Sequence, residues 1–234
     1  VDQLQSEQGG RFLRKRNRNI IIIIDEDISP QEQFTWLTLG QIKQLMQYDN
    51  LVNMDTRSVI SCCEFGGHEV TAIDVIDFLL YCPPSNPYTQ KLLKSALISD
   101  TALHSINEIL SFLTQIKSLC DLNVERIKLG ELKDWIVDKM EIRHQRNEFF
   151  KVIAVDVEIG NREVEKWSQP MIQSLQKGLC AFVAKEINGV LHFIVQAKIE
   201  SGNFDVVEFA PTVQAISGDY RKSNSEDLPF LNYV

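Results

Sequence analysis

The sequence predicts an α+β fold in which helices come first and β-hairpins follow. Between residues 100 and 119 apolar residues recur every three or four positions, which is typical of an amphipathic helix. From Phe149 onward the period of the apolar residues drops to two, as expected for strands. Asn188-Gly189 joins two runs rich in Val, Ile, Phe and Leu and favours the type I′ turn of a hairpin. Helices followed by a series of hairpins indicate the α+β class.

The first third of the chain predicts one strand and two short helices. Ile20–Ile24 is a candidate for a buried strand. Thr38 and Gln41 have the spacing of a capping box at the start of a helix. Asp55 is expected to cap a second helix.

The segment CPPSNPY, from Cys82 to Tyr88, has three prolines in five positions and interrupts regular structure. We expect it to begin a linker over 83–99, between a part that covers 1–82 and a part that covers 100–234. In the second part, Asp100 is expected to cap the long helix. A further helix is predicted from Glu131 to Met140, with Leu132, Trp135 and Ile136 on its apolar side.

Composition excludes several classes of protein. The formal net charge of −8 argues against a general nucleic-acid binder, because such proteins carry a basic surface. No apolar run approaches the ~20 residues of a membrane span. The 5 cysteines are odd in number and form no CxxC pair, so we expect reduced thiols in a cytoplasmic protein. A GxGxxG turn and a Walker-A lysine are both missing, so neither a nicotinamide nor an ATP cofactor is expected.

The strand predicted after Gly189 carries polar side chains at alternate positions. Because side chains alternate between the two faces of a strand, its odd-numbered residues are expected to form the core face. These are Leu191, Phe193, Val195, Ala197 and Ile199. The even-numbered residues form the opposite row, His192, Ile194, Gln196, Lys198 and Glu200. A solvent-facing row is the ordinary alternative to a functional one, since antiparallel sheets often have one wet face.

The string HFIVQAKIESGN…EFAPTVQAI…Y, from His192 to Tyr220, closely resembles the nucleotide-diphosphate-hexose 2,3-dehydratases of deoxysugar biosynthesis. The same resemblance extends to LQSEQGGRFLRKRNRN, FTWLTLGQIKQLMQYDNLVNMDTRSVISC, IRHQRNEFFKV, REVEKWSQP and GLCAFVAKEINGVLHF. It implies two similar repeats, each with a Nudix-like sheet and flanking helices, in a longer homodimeric chain. We therefore expect an internal fragment, with the tail of one repeat in 1–82 and an incomplete second repeat in 100–234.

The resemblance implies 2,3-dehydration of a nucleotide-linked 4-keto-6-deoxyhexose, typically a thymidine diphosphate sugar. A base removes the C3 proton, which is acidic beside the C4 ketone, and the C2 hydroxyl then leaves with help from an acid. Donors stabilise the enolate oxygen, and no redox cofactor is needed. The alternative is a repeat without catalysis, serving in sugar-nucleotide binding or in dimerisation.

Candidate catalytic residues follow from this chemistry. Glu200 is a candidate base, Lys198 a candidate partner of the enolate or the leaving group, and Tyr220 a candidate acid or phosphate ligand. Gln196 and Gln214 are candidates for recognition of hydroxyl and carbonyl groups, since amides both donate and accept. The alternative for Lys198 and Glu200 is an ordinary surface ion pair, which contributes little.

Further candidate binding residues lie outside this strand. Trp167, with Gln169 beside it, is a candidate to stack on a base or a sugar, although a packing role is the alternative. Glu7 lies in a QSE string of the family and is a second candidate base or a substrate ligand. Arg11 and Arg16 belong to a basic cluster suited to a pyrophosphate, because guanidinium groups bind phosphate oxygens in pairs. The alternative for this cluster is a solvated segment.

No metal site is predicted. The helical metal motif of Nudix hydrolases is missing, and Arg162-Glu163-Val164 matches only a short part of it. His144 and His192 lack the spacing of metal ligands and are expected to be structural. Residues 1–24 are expected to pair with the C-terminal sheet, within the chain or by exchange with a second chain, because an open sheet edge invites an added strand.

Overall fold

The computed structural model describes residues 2–26, 32, 34–63, 86–97, 102–160, 163–175, 178–215 and 228–234. These residues form four α-helices and twelve strands, and the strands pair in five antiparallel sheets. The α+β prediction is therefore confirmed. The predicted cap Asp100 and the candidate Tyr220 lie outside the described residues.

The helices are α1 (Leu39–Leu45), α2 (Met54–Ser61), α3 (Pro87–Leu97) and α4 (Ile106–Ser118). The first six strands are β1 (Asp2–Ser6), β2 (Arg16–Ile20), β3 (Trp135–Val137), β4 (Glu141–His144), β5 (Phe150–Glu158) and β6 (Lys166–Ser174). The remaining strands are β7 (Leu179–Ala181), β8 (Ala184–Ile187), β9 (Val190–Phe193), β10 (Val195–Lys198), β11 (Glu208–Pro211) and β12 (Val213–Ala215).

The chain divides into two compact units. The first comprises Val1–Ser99 and Gly202–Phe204, and the second comprises Asp100–Ser201 and Asp205–Val234. The predicted linker over 83–99 contains α3, so part of it is regular helix. The loop between β10 and β11 therefore contains three residues of the first unit, Gly202–Phe204.

In the first unit β1 and β2 form an antiparallel hairpin whose register runs from Asp2↔Ile20 to Ser6↔Arg16. The predicted buried strand Ile20–Ile24 is wrong, because the strand ends at Ile20 and the following isoleucines are exposed. Polar contacts across the hairpin explain this register. Arg18 donates to both carboxylate oxygens of Asp2, at 2.8 and 2.6 Å, and Asn19 donates to Gln5 at 2.8 Å.

Helix starts are set by side-chain caps. The capping box of Thr38 and Gln41 is confirmed at the start of α1. At α2 the predicted cap Asp55 is wrong, because the Oδ1 of Asn53 accepts from a main-chain N–H inside the helix and Asp55 lies in the first turn. Ser105 caps α4 by a second capping box, so this helix begins at Ile106.

The predicted helix from Glu131 to Met140 is wrong. A 3-10 turn at Leu129–Glu131 leads into β3, which pairs with β4. The cause is local, because the Oδ1 of Asp138 accepts from the N–H groups of Met140 and Glu141, at 2.7 and 2.9 Å, and closes a tight turn. Such side-chain bonds to the backbone compete with helix formation.

The second unit contains a four-stranded sheet, β3-β4-β5-β6, and three two-stranded sheets, β7-β12, β8-β9 and β10-β11. The hairpin at Asn188-Gly189 is confirmed, with φ angles of 53° and 74° at the two turn residues. The core of this unit contains Val190, Leu191, Val207 and Val213.

The two long strands predicted on either side of this turn are each interrupted, the first between β7 and β8 and the second at Ile194. The prediction of a core face on odd-numbered residues is wrong beyond Leu191, because Phe193, Val195 and Ile199 are 40%, 46% and 41% exposed. The interruption at Ile194 breaks the simple alternation of faces. In the described part of the chain, no helix has the length and apolar character to cross a membrane.

Candidate functional site

Four of the predicted site residues lie close to one another around β10 in the second unit. Gln196 and Lys198 are on β10, Glu200 follows two residues beyond its end, and Gln214 is on β12. All four residues are partly buried, whereas Val195 of β10 and the flanking Ile194 and Ile199 are exposed. The polar row is therefore the more protected side of this segment.

Lys198 makes a hydrogen bond to the main chain and an ion pair with Glu200. Its Nζ donates to the main-chain oxygen of Gln214 at 3.0 Å and lies 3.6 Å from the Oε1 of Glu200. The Lys198 and Glu200 side chains are 23% and 13% exposed. The ion pair of Lys166 with Glu158 has exposures of 72% and 81%. Desolvation strengthens the interaction of two charges, so the Lys198–Glu200 pair differs physically from a surface pair.

Gln196 is oriented by the strand that follows the loop. Its Nε2 donates to the main-chain oxygen of Pro211 at 2.8 Å. An amide held through one N–H retains a second donor and an acceptor oxygen that a ligand can use. Gln214 contributes its main-chain oxygen to Lys198, while its backbone pairs with Cys180 of β7.

Glu208 is a functional candidate that sequence reasoning missed. It is directly opposite Lys198 in the β10–β11 register, so the two side chains share a face, and it is partly buried. A second carboxyl group therefore lies beside the Lys198–Glu200 pair. The register depends on the loop between the strands, and the sequence carries no local signal of how that loop returns.

Trp167 and Gln169 are on β6, in the four-stranded sheet, and their side chains point to the same face. The indole N–H donates to the Oε1 of Gln169 at 2.7 Å. Both residues are partly buried. The two side chains are therefore joined by a hydrogen bond on one face of the sheet.

Glu7 lies in the first unit with a side chain that is 10% exposed. Asn17 donates to its Oε2 at 2.9 Å, the main-chain N–H of Gln8 donates to its Oε1 at 3.3 Å, and the Nζ of Lys15 is 3.6 Å away. Burial raises the pKa of Glu7, but the two hydrogen bonds and the Lys15 charge outweigh it. The net effect is a pKa below the usual value of a glutamate.

Some arginines of the basic cluster contact other residues of the first unit. The Arg16 guanidinium lies 3.9 Å from the centroid of the Phe204 ring, in a cation–π contact. Arg18 pairs with Asp2, and Arg11 is partly buried. Arg16 is nevertheless exposed, so a solvated segment describes Arg16 better than it describes the partly buried Arg11.

Residues 9–14 also bind the loop segment Gly202–Phe204. The Gly202 N–H donates to the oxygen of Gly9 at 2.7 Å, and the Arg14 N–H donates to the oxygen of Gly202 at 2.8 Å. Within the described residues β1 and β2 pair only with each other, so they do not extend the sheet of β10 and β11 as expected.

His144 and His192, which the sequence analysis interprets as structural, both contact other residues of the second unit. The Nε2 of His192 accepts from the Leu103 N–H at 3.0 Å, so its Nδ1 carries the proton and donates to the oxygen of Val190 at 2.9 Å. His144 is buried against Trp135, with ring centroids 5.7 Å apart. Among the residues that the structure describes, no three His, Cys, Asp or Glu side chains are grouped as metal ligands.

A groove of about 580 Å³ runs along α4. It is lined only by residues of that helix, Asn107, Leu110, Ser111, Thr114, Gln115 and Ser118. None of these residues is a predicted site residue. A groove formed by one helix face offers no converging groups for catalysis.

Comparison with known proteins assigns the chain to a family. A family profile described as NDP-hexose 2,3-dehydratase matches residues 1–63 and 106–234. A protein of Saccharopolyspora spinosa named dTDP-4-dehydro-6-deoxy-alpha-D-glucopyranose 2,3-dehydratase is 40% identical over 239 aligned residues, which cover 100% of this chain and 47% of that protein.

Two further proteins with the same name are similar to this chain. That of Amycolatopsis orientalis is 39% identical, with 44% of its length covered. That of Streptomyces violaceoruber is 37% identical, with 48% covered. Each alignment includes 100% of this chain. The chain thus spans a little less than half the length of the curated relatives it matches.

Proposed function

The chain belongs to the NDP-hexose 2,3-dehydratase family, and we propose that it is part of an enzyme that dehydrates a nucleotide-linked 4-keto-6-deoxyhexose across C2 and C3. The names of the relatives support a thymidine diphosphate sugar as the substrate. A Nudix-like repeat architecture, a homodimer and a cytoplasmic location are part of the same proposal.

In the proposed reaction Glu200 removes the proton from C3, and the electron pair moves onto the C4 oxygen to form an enolate. Lys198 stabilises this oxygen with its positive charge. The enolate then expels the C2 hydroxyl, which takes a proton from an acid and leaves as water. The enol formed at C3 becomes a ketone, so the product is a 2-deoxy-3,4-diketo sugar. C3 is oxidised as C2 is reduced, and the atoms and electrons balance within the substrate.

The observation that carries this proposal is the protected Lys198–Glu200 pair. Proton abstraction beside a ketone requires a carboxylate and a positive donor within a few ångströms of each other, and the two groups are 3.6 Å apart. Glu208 and Tyr220 are the candidate acids. Gln196, Lys198 and Glu200 are all partly buried. Partial burial restricts the movement of their side chains, and a fixed geometry favours catalysis.

Substrate recognition is proposed for the remaining polar groups. Gln196 and Gln214 bind sugar hydroxyl and carbonyl oxygens through their amides. The joined side chains of Trp167 and Gln169 suit a base or a sugar ring, because an indole stacks on planar or apolar faces. In the first unit Arg11 and Arg16 are proposed ligands of a diphosphate, and Glu7 is a proposed hydroxyl ligand.

The test compares Glu200→Gln with Glu158→Gln in the full-length enzyme. Glu158 is a matched control because it also pairs with a lysine but is exposed. We expect Glu200→Gln to lower turnover by at least about 100-fold, the scale of a lost general base, and to keep nucleotide binding in calorimetry. Turnover is followed by trapping the diketone with a 3-ketoreductase, and C3 proton abstraction by solvent deuterium exchange.

The control variant should retain full activity. Unchanged turnover in Glu200→Gln would remove this residue as the base. If both binding and chemistry are unaffected by changes at Glu200 and Lys198, this segment is a non-catalytic repeat.

A further inference from the structure

We propose that Thr212 is a positioning residue that holds Gln196 and Lys198 in place through the backbone of Pro211–Gln214. The inference rests on the proposed function of this site. Thr212 was not a candidate from its sequence context. Its role follows from two main-chain partners of its hydroxyl, Val183 and Ile194, which lie far from it along the chain.

Thr212 spans the two interruptions of the long strands. It is buried, with 6% of its surface exposed. Its Oγ1 accepts from the N–H of Val183 at 2.9 Å and donates to the main-chain oxygen of Ile194. The N–H of Ile194 in turn donates to the oxygen of Val183 at 2.9 Å. One hydroxyl thus joins both interruptions to the segment that follows β11.

A hydroxyl suits this position because it is both a donor and an acceptor. At Val183 and Ile194 the strands break, so a main-chain N–H and a carbonyl oxygen need partners outside the ladder. A main-chain group that is shielded from water and has no partner destabilises the fold. Valine has nearly the same shape as threonine but satisfies neither group.

Thr212 is also the point at which the chain changes its partner strand. Pro211, the last residue of β11, pairs with Val195 of β10, whereas Val213 starts β12 and pairs with Ala181 of β7. The position of β12 relative to β10 therefore depends on the residue between them. Thr212 fixes that position by its bonds to the backbone on both sides.

The carbonyl groups beside Thr212 hold the site. The Pro211 oxygen binds the amide of Gln196 at 2.8 Å, and the Gln214 oxygen binds the ammonium of Lys198 at 3.0 Å. A shift of this segment would move both side chains together. Because a misplacement of about 1 Å costs on the order of 100-fold in rate, the effect should appear mainly in kcat.

The experiment compares Thr212→Val and Thr212→Ser in the full-length enzyme. Thr114→Val is the matched control, since the Thr114 hydroxyl also binds a main-chain oxygen, at 2.8 Å, but in the exposed helix α4. We expect Thr212→Val to lower kcat by about 10- to 100-fold with a smaller change in KM. Thr212→Ser, which keeps the hydroxyl, should restore kcat to within about threefold, and the control should match the wild type.

A background that lacks both side chains, Gln196→Ala with Lys198→Ala, separates positioning from general structure. If Thr212 acts through Gln196 and Lys198, Thr212→Val should have little further effect on the residual rate of C3 deuterium exchange in that background. A folded Thr212→Val enzyme with unchanged kcat overturns the proposal. If Thr212→Val does not fold, the serine variant decides, since a tenfold loss of kcat in Thr212→Ser also overturns it.

Failure of the proposed function gives a different result. If Lys198→Ala leaves kcat unchanged, the site itself is not catalytic. If Lys198→Ala lowers kcat while Thr212→Val does not, only the positioning role is wrong.

Discussion

Gly202 has no room for a side chain, and Gly202→Ala tests the packing of its loop. A Cβ placed on Gly202 would lie 2.0 Å from the oxygen of Phe12 and 2.4 Å from the oxygen of Gly9. Both contacts are with backbone atoms, so no side-chain rotation relieves them. The loop must therefore move away from the turn formed by residues 9–14.

The cost follows from the bonds that this movement breaks. Gly202 exchanges two main-chain hydrogen bonds with the turn, one with Gly9 and one with Arg14. At about 0.5–1.5 kcal/mol each, their loss lowers the free energy of unfolding by about 1–3 kcal/mol. Overpacking of a well-packed site gives the same range, about 1–3 kcal/mol. For a urea m-value of about 2 kcal/mol/M, the midpoint should fall by about 0.5–1.5 M.

Urea unfolding and amide hydrogen exchange measure this effect. The N–H groups of Arg14 and Gly202 should lose protection in the variant, because their acceptors move away. Gly130→Ala is the matched control, since a Cβ at Gly130 has no atom within 4 Å. It should change stability by less than about 0.5 kcal/mol. Equal midpoints for the two alanine variants would show that the loop does not pack against the turn in this way.

Three other expectations concern single elements and cofactors. Asp138→Ala should destabilise the β3–β4 hairpin by about 1–2 kcal/mol, because two N–H groups lose their acceptor, and retained exchange protection at Met140 and Glu141 would contradict this. Asn188→Val should cost about 1–2 kcal/mol in thermal unfolding, since the φ of 53° is strained for a β-branched residue, whereas Asn188→Gly should not. The full-length enzyme should retain activity after chelation and without nicotinamide. Activity that is lost with chelator and restored by Mg²⁺ would instead favour a metal-dependent hydrolase.

Features with short-range causes were predictable from the sequence. The capping box of Thr38 and Gln41 and the turn at Asn188-Gly189 depend on residues within a few positions of each other. The helix predicted from Glu131 to Met140 is wrong because helical periodicity alone does not reveal the turn that the side chain of Asp138 closes. A short apolar run fits either a helix or a strand, and the local turn decides between them.

Features that depend on distant partners were not predictable. The polar segment Arg16–Ile20 forms a strand because its side chains pair with β1, while the isoleucines beyond it stay exposed. In the candidate site, the polar row on β10 followed from alternation. The neighbours Glu208 and Thr212 depend on how the chain returns after the loop, which no local pattern encodes.

The acid dependence of Glu7 is a last expectation, and it concerns the role of this carboxylate in the first unit. The folded state lowers the pKa of Glu7 below its value in the unfolded chain. The resulting stabilisation is present above the pKa of Glu7 in the unfolded chain, and it is lost as the pH falls through the lower pKa of the folded state. Asn17→Leu removes the 2.9 Å hydrogen bond and should raise the pKa of Glu7.

A carbon-13 titration of the Glu7 carboxyl group measures this directly. Lys15→Ala is the comparison, because the lysine acts at 3.6 Å mainly through its charge and should shift the pKa less than Asn17→Leu does. A larger shift in Lys15→Ala would show that charge, rather than the amide bond, controls this carboxyl. A carboxylate whose pKa is lowered is a weaker base, so Glu7 is better suited to accept hydrogen bonds from a substrate than to remove its C3 proton.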